Sequence, residues 1–421
     1  MDMLLLFLIL IVAVSVGVPI GFAIAAATAA VMALFTNTSL EVVAFYSTTG
    51  INSFPIMAIP FFILAGSLMS SGGIAKRIVD VAMCLVGHFV GGLGAVVTIA
   101  SMFFAALSGS GMATVAAMGG TMIPEMIKKG YSKGYSAAIT ACAGTMGPII
   151  PPSLLFVIYG ACTQTSIGDL FLAGIIPGVA MGVGLLIANA VICKKDQVPR
   201  QPKGSLKETG KAIWEAKWAL LAPVIILGGI YSGIFTPTES AAVACVYCAV
   251  ISLFVYRETS VREMYQVLTD TAVMNGMTTF LLGTCTAFAG YLSLEQVPHK
   301  VLEAMTQLTD NKIVFMLIIN IVLLIVGMFL DAVPAIMIMA PILLPVVTGF
   351  GVDPVHFGII MCVNLAIGLV TPPYGCNLFV ASAVADISIG RMMKYTLILM
   401  GVLIVVLMLI TYIPQLSLAF L

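Results

Sequence analysis

Apolar stretches of membrane-spanning length recur from one end of this chain to the other, and they restrict its possible folds more than any other feature. Among them are Met3 to Leu34, Phe171 to Cys193, Trp218 to Ile230, Ala241 to Tyr256, Ile313 to Leu330 and Leu397 to Ile413. Most approach or exceed the roughly 17–25 apolar residues that a spanning helix needs. They lack the period-two alternation of barrel strands and are too long for them. Only 9% of the 421 residues are charged while 61% are hydrophobic, where a soluble domain carries about 25% charge. The expected class is an all-α polytopic membrane protein.

The first run carries Asp2 where a secretory signal would be basic, and no small-x-small cleavage site follows it, so it reads as the first spanning helix, retained. Lys and Arg in short loops mark the cytoplasmic side. With the N-terminus placed inside, the inner loops hold Lys76, Arg77, Lys128, Lys129, Lys133, Lys194, Lys195, Arg200, Lys203, Lys207, Lys211, Lys217, Arg257, Arg262, Arg391 and Lys394. That is sixteen of the 18 basic residues; Lys300 and Lys312 alone fall outside. The stretch 194–217, with Pro199, Pro202 and Gly204, reads as a solvated connector between two halves.

Several chemistries are excluded or demoted at this level. The nine cysteines sit singly in apolar runs as small buried hydrophobes, and Cys245-x-x-Cys248 lacks the βαβ surroundings of a redox motif. Three histidines, His88, His299 and His356, are too scattered for a metal site. No GxxxxGK[ST] loop is present, so ATP use is not expected, and orientation accounts for the basic residues without nucleic acid. Ser108-Gly109 resembles the nucleophile turn of an intramembrane serine protease, but the required first glycine is missing and no histidine falls in a helix facing it.

An internal repeat narrows the reading further. Gly147 to Ser153 (GPIIPPS) aligns with Gly368 to Tyr374 (GLVTPPY), pairing Pro151 with Pro372 and Pro152 with Pro373; at the same offset, about 221 residues, Pro124 meets Pro345. Ala65-Gly66 matches Ala289-Gly290, Ser166-Ile167-Gly168 matches Ser388-Ile389-Gly390, and Pro19 matches Pro237. Counting crossings from the charge assignment inverts one half relative to the other. Inverted repeats are a hallmark of secondary transporters, because two similar halves about an in-plane axis provide two near-equivalent access states.

Each repeat contains a stretch that returns to the side it started from. Residues 94–127 are turned at Leu107-Ser108-Gly109-Ser110-Gly111, and residues 312–350 are turned near Gly327 and Asp331-Ala332-Val333-Pro334. Irregular backbone at membrane depth is tolerated only beside protein or a water-filled cavity, so both segments should be re-entrant hairpins. The spans that follow, 135–160 and 356–385, are interrupted by their paired prolines. Freed carbonyls and the hydroxyls of Ser108, Ser110, Ser153 and Thr371 are oxygen ligands for a small cation, and half-helix N-termini favour an anionic group. Asp331 either caps the second half-helix or also serves ion or substrate, since an ionisable residue in a span is costly.

Taken together, LSGSG at 107–111, GPIIPPS at 147–153, GIFTPTESAA at 233–242, GMFLDAVPA at 327–335 and LVTPPYGCNLF at 369–379 resemble the large membrane subunit of the tripartite ATP-independent periplasmic transporters, essentially end to end. The resemblance implies an elevator-type fold in two halves, 1–193 and 233–421, joined by a linker and connecting helix at 194–232. It also implies a bacterial inner-membrane protein with its N-terminus cytoplasmic and its C-terminus periplasmic. The activity implied is sodium-coupled import of a small organic anion, a carboxylate or sugar acid, with Na+ as coupling ion and no organic cofactor. Two partners are implied: a small four-helix membrane subunit, expected as a separate chain because this one opens on its first spanning helix, and a periplasmic substrate-binding protein. Carried over by position, Ser108, Gly109, Ser110, Gly147, Gly327, Asp331 and Thr371 would bind sodium, while Ser153, Pro151, Pro372 and Asn377 would face the substrate. Tyr374 stands where the first repeat has Ser153, so the two sites cannot be chemically identical.

Overall fold

The structure is a computed structural model describing residues 2–35, 39–71, 73–198 and 205–421, which form helices joined by turns, with no β-strand among them. The first half comprises α1 (Asp2–Ser15), α2 (Ile20–Phe35), α3 (Glu41–Ile51), α4 (Ala58–Ser71), α5 (Ile74–Val86), α6 (Gly92–Ser108), α7 (Gly111–Lys128), α8 (Lys133–Gly144), α9 (Leu154–Thr163) and α10 (Ile167–Lys195). The second comprises α11 (Leu206–Tyr231), α12 (Pro237–Val250), α13 (Val261–Leu294), α14 (Val297–Leu308), α15 (Lys312–Phe329), α16 (Ala332–Gly349), α17 (Pro354–Gly368), α18 (Cys376–Ala385), α19 (Ile389–Tyr412) and α20 (Gln415–Leu418). Seven described helices are long and apolar enough to cross a membrane, and Glu41–Ile51 with Phe54–Ser70, bent by 63°, makes an eighth if the pair is one span.

The repeat is visible element by element. Hairpin α6–α7 answers α15–α16, the broken pair α8 and α9 answers α17 and α18, and α10 answers α19. The first hairpin turns at LSGSG as expected; the second, expected near Gly327 and Asp331 to Pro334, turns at Leu330-Asp331, with Gly327 inside α15 and Ala332 to Pro334 in the first turn of α16. Both spans break at their paired prolines, each of which carries a cis peptide bond. The halves differ at α3–α4, where Pro55 and Pro60 interrupt what is the single unbroken helix α13 in the second half.

Side-chain bonds gather the basic loops onto one face. Arg77 pairs with Glu258 at 2.8 Å, Tyr395 donates to Asp196 at 3.0 Å, and the Tyr131 hydroxyl accepts from the Leu93 amide at 3.2 Å, joining both feet of hairpin α6–α7. The opposite face is tied by Tyr159 donating to the Pro354 carbonyl at 2.8 Å, and Lys312 to that of Gly351 at 2.7 Å. Lys312 and Gly351 flank hairpin α15–α16, so the two hairpins enter from opposite faces. Equivalent seams use different chemistry: Tyr135 donates to Asn189 in the first half, while His356 Nε2, 221 positions after Tyr135, lies 3.3 Å from the Thr411 carbonyl. A carbonyl only accepts, so Nε2 carries the proton there.

Two expectations need correction. The run Met3 to Leu34 is not one span. It reverses at residues 16–19, where Gly17 has φ +91° and the Val18 amide donates to the Ala13 carbonyl, a helix-terminating turn. Phe7 lies against Phe288 and Phe22 against Phe280, with ring centroids 6.2 and 4.6 Å apart. Residue 7 is therefore nearer than residue 22 to the Leu294 end of α13, and α1 starts on the face opposite the basic one. The N-terminus does not lie with the basic loops. The connector is also shorter than 194–217, because Lys207, Lys211 and Lys217 stand on α11, which starts at a capping box between Ser205 and Glu208. Pro199, Arg200, Pro202, Lys203 and Gly204 lie outside the described residues.

Two groups of helices result. α2, α3, α4, α11, α12 and α13 pack on one another as a frame, and α6–α10 with α15–α19 interlock across the repeats, α18 against α7 and α8, and α9 against α16. The frame meets the bundle directly through α4 on α6 and α13 on α16, while α5 bridges α11 to α6 and α14 bridges α13 to α16.

Candidate functional site

Between frame and bundle lies a cavity of about 710 Å³. The bundle contributes Ser108, Gly109, Ser110, Pro148, Leu154 and Asp331, and the frame contributes Gly66, Ser67, Ser70, Asp270, Thr271 and Thr278. The first turns of α7, α9 and α16 all reach it, and helix N-termini attract negative charge through their unpaired amides and aligned dipoles. No Lys or Arg is among the lining residues; Asp270 and Asp331 are the charged ones.

The first hairpin tip supplies oxygen atoms at close quarters. Ser108 Oγ is 3.1 Å from Thr114 Oγ1, and the Ser110 carbonyl accepts from Thr114 Oγ1 at 2.8 Å. Ser110 caps α7, its side chain accepting from the Ala113 amide. Gly147, in the first helix break, touches the same carbonyl: a Cβ there would lie 2.5 Å from the Ser110 oxygen, so only glycine admits the approach. Asn377, from the other half, completes the cluster. Its Nδ2 donates to the Ala141 carbonyl at 3.2 Å, its amide abuts Gly111 and Gly144, and its buried Oδ1 has no hydrogen-bond partner. A buried amide oxygen left unpaired costs about 1–3 kcal/mol. With the Ser108, Ser110 and Thr114 oxygens beside it, it forms a hard-oxygen donor set that fits a small monovalent cation better than a transition metal. No grouping of three His, Cys, Asp or Glu able to hold a metal occurs among the described residues.

The second hairpin tip is built differently. Gly327 and Gly368 meet backbone to backbone, a Cβ on Gly368 falling 2.6 Å from the Gly327 carbonyl. Thr371 donates to the Ile367 carbonyl at 2.8 Å, and its own carbonyl accepts from the Gly375 amide at 3.1 Å. Asp331 occupies the N-cap of α16 and lines the cavity, but its side chain makes no capping hydrogen bond. Its one backbone hydrogen bond is from the Ala332 amide, the first of α16. One repeat length before Asn377 stands Phe156, and one after Thr114 stands Ala335. The second site thus lacks both polar groups that distinguish the first, a sharper difference than Tyr374 against Ser153.

The sequence-derived set is thus divided. Ser108, Gly109, Ser110 and Asp331 line the cavity, and Gly147 and Asn377 back the first tip. Gly327 and Thr371 stand at the second break. Ser153 and Pro151, expected to face substrate, are buried away from the cavity: Ser153 caps α9 by accepting from the Phe156 amide at 3.2 Å and donates to the Pro148 carbonyl, so its hydroxyl is consumed in closing the broken loop. Pro372 is half-buried and is not among the lining residues either. Thr114, Gly368 and Asp270 were not singled out from sequence. Gly368 could have been, as the repeat partner of Gly147; a lone Thr or Asp carries no such signal.

Comparison with known proteins supplies an independent reading. The profile described as "Tripartite ATP-independent periplasmic transporter, DctM component" matches residues 7–416. The chain is 48% identical over 386 residues to the isethionate TRAP transporter permease protein DctMQ of Oleidesulfovibrio alaskensis, covering 90% of this chain but 60% of that one. It is 44% identical over 391 residues to the C4-dicarboxylate TRAP transporter large permease protein DctM of Pseudomonas aeruginosa, covering 93% and 92%. The crystal structure of the Alcanivorax borkumensis YdaH transporter superposes with a TM-score of 0.66 at 13% identity, covering 91% of each chain, which establishes similarity of fold.

Proposed function

As the chain belongs to the DctM component family of the tripartite ATP-independent periplasmic transporters, we propose that it imports a small organic anion coupled to sodium, by sliding the hairpin bundle against the frame. The observation that carries this reading is the cavity itself: two hairpin tips from inverted halves and three helix N-termini converge where frame and bundle meet, with an unpaired buried amide oxygen behind the first tip. With no Lys or Arg lining the cavity, the charge of a bound anion would be met by helix N-termini and by sodium held at the tips. Ser108, Ser110, Thr114 and Asn377 would hold one ion, with Gly109 and Gly147 giving the tip its close fit. Gly327, Gly368, Thr371 and Asp331 would supply the second position. The named solutes of the two permeases above, isethionate and C4-dicarboxylates, are small organic anions, and this chain is assigned the same class.

The two seams between frame and bundle support a sliding motion. Towards the basic face the cavity continues past Val267 and Asp270 into a recess bounded by Glu258 and Glu263. That recess and a crevice towards the other face are each about 250 Å³, but the crevice, where Met337 and Pro341 of α16 lie beside Thr286 and Ala289 of α13, shares no lining residue with the cavity. Continuity on that side alone fits a state open to the basic face; with that face cytoplasmic by its Lys and Arg content, both termini would lie in the periplasm. A small membrane subunit and a periplasmic binding protein would complete the assembly in the bacterial inner membrane.

The decisive experiment is uptake of labelled isethionate or succinate into proteoliposomes containing the complete complex, with and without an imposed sodium gradient. Uptake that follows the gradient supports the reading; flux indifferent to sodium would mark a channel instead. Ser108→Ala combined with Ser110→Ala should lower apparent sodium affinity at least about tenfold, as expected for two lost ligands at about 1 kcal/mol each; unchanged sodium dependence would remove both from the site. Thiol labelling should find Ser205→Cys reactive from the cytoplasm, and Leu308→Cys and an N-terminal tag reactive from the periplasm; a cytoplasmic tag would overturn the reversal at residues 16–19.

A further inference from the structure

We propose that Asp270 makes binding in the inward-open state charge-selective: from the frame wall it weakens the anion and strengthens sodium in that state only. The assignment rests on the transport reading above. Asp270 lines both the main cavity and the recess at the basic face. It is exposed and makes no hydrogen bond or ion pair among the described residues. Its neighbours are committed elsewhere: Glu258 pairs with Arg77 at 2.8 Å, and Glu263 closes the capping box that starts α13. Asp270 therefore holds up no part of the fold, and its charge faces the path the solute takes.

The position of Asp270 follows from the register of the two helices. Met337 and Pro341 flank the same crevice as Thr286 and Ala289, and Pro345 lies with Ser293 further along, so α16 and α13 run parallel with the tip at Ala332 level with residue 281 or thereabouts. Asp270 is about eleven residues nearer the basic face, roughly 16 Å at 1.5 Å per residue. At that separation, and at an ionic strength of about 0.01 M where the Debye length of about 30 Å exceeds it, a unit charge changes binding by less than about twofold in bulk water and by about sixfold at the effective permittivity near 20 of a protein-walled site. The effect belongs to one state. The bundle moves and Asp270 does not, and the crevice on the other side, lined by Thr49, Gly50, Ser53, Gln164 and Thr286, has no charged side chain.

The prediction is a pair of opposite shifts, which a purely structural role would not produce. In proteoliposomes of the complete complex at low ionic strength, Asp270→Asn is expected to lower the half-saturating anion concentration on the cytoplasmic side by about 1.5- to sixfold and to raise that of sodium by a similar factor, leaving the periplasmic-side constants unchanged. The shift for dianionic succinate should be about the square of that for monoanionic isethionate, and Asp270→Glu should restore the unaltered values. Constants that do not move, or that worsen together for anion and sodium, would overturn the assignment, as would complete loss of sodium dependence, which would make Asp270 a direct ligand. Absence of sodium-driven uptake by the unaltered complex would overturn the transport reading and this assignment with it.

Discussion

Asp331→Asn is expected to cut sodium-driven uptake by about a hundredfold while leaving the protein at least as stable as before. A carboxylate at membrane depth costs about 2.5–3.5 kcal/mol; here the side chain makes no N-cap hydrogen bond to α16, and one backbone hydrogen bond, from the Ala332 amide, offsets only part of that cost. The unfavourable charge persists only if something binds to it, and a cation at the second hairpin tip would recover that cost on arrival. Removing the charge removes both the cost and the recovery: apparent sodium affinity falls by an amount of the same order, at 1.36 kcal/mol per tenfold, and folding is relieved. The two readouts must move in opposite directions. Uptake at the unaltered level would remove Asp331 from the site, and parallel loss of uptake and thermal stability would return it to a structural role.

Gly147→Ala is the second large effect, and it acts through shape. A methyl there would sit 2.5 Å from the Ser110 carbonyl and 2.9 Å from the Gly111 amide, both backbone atoms that cannot rotate away. Overpacking of a tight contact costs about 1–3 kcal/mol, and the only way to release it is to lift the first hairpin tip off the broken helix. Uptake should be abolished, and the thermal stabilisation that added sodium gives the unaltered protein should vanish, because the tip oxygens no longer converge. Gly120→Ala, on the same hairpin but facing open space, is the control and should leave both measurements unchanged. A Gly147→Ala protein with intact uptake and sodium-dependent melting would show that the tip does not need this approach.

The legible part of the fold was carried by residues whose chemistry acts locally. Paired prolines break a helix wherever they stand, so Pro151-Pro152 and Pro372-Pro373 located both interruptions, and serine–glycine turns between apolar arms located the first hairpin tip. The N-terminal reversal was missed because hydropathy is blind to direction: residues 3–34 are apolar throughout, and the turn at Gly17 interrupts the helix without interrupting the hydrophobicity. Ser153 was misjudged for a related reason. A serine beside a break can face a cavity or close the break itself, and only the positions of the Pro148 carbonyl and Phe156 amide distinguish the two.

By itself the sequence determined that this chain lives in a membrane, that it is built twice with opposite topology, and that each half carries a hairpin and a broken helix. Those properties follow from composition, charge placement and backbone chemistry, all of which act over a few residues at a time. Only the tertiary structure decided that Asn377 of the second half backs the hairpin of the first with an unpaired oxygen, and that Asp331 on the bundle and Asp270 on the frame line one cavity. Those facts depend on segments far apart in the chain arriving at one place, and apolar helices packed in a bilayer carry almost no sequence signal of which neighbour they will meet.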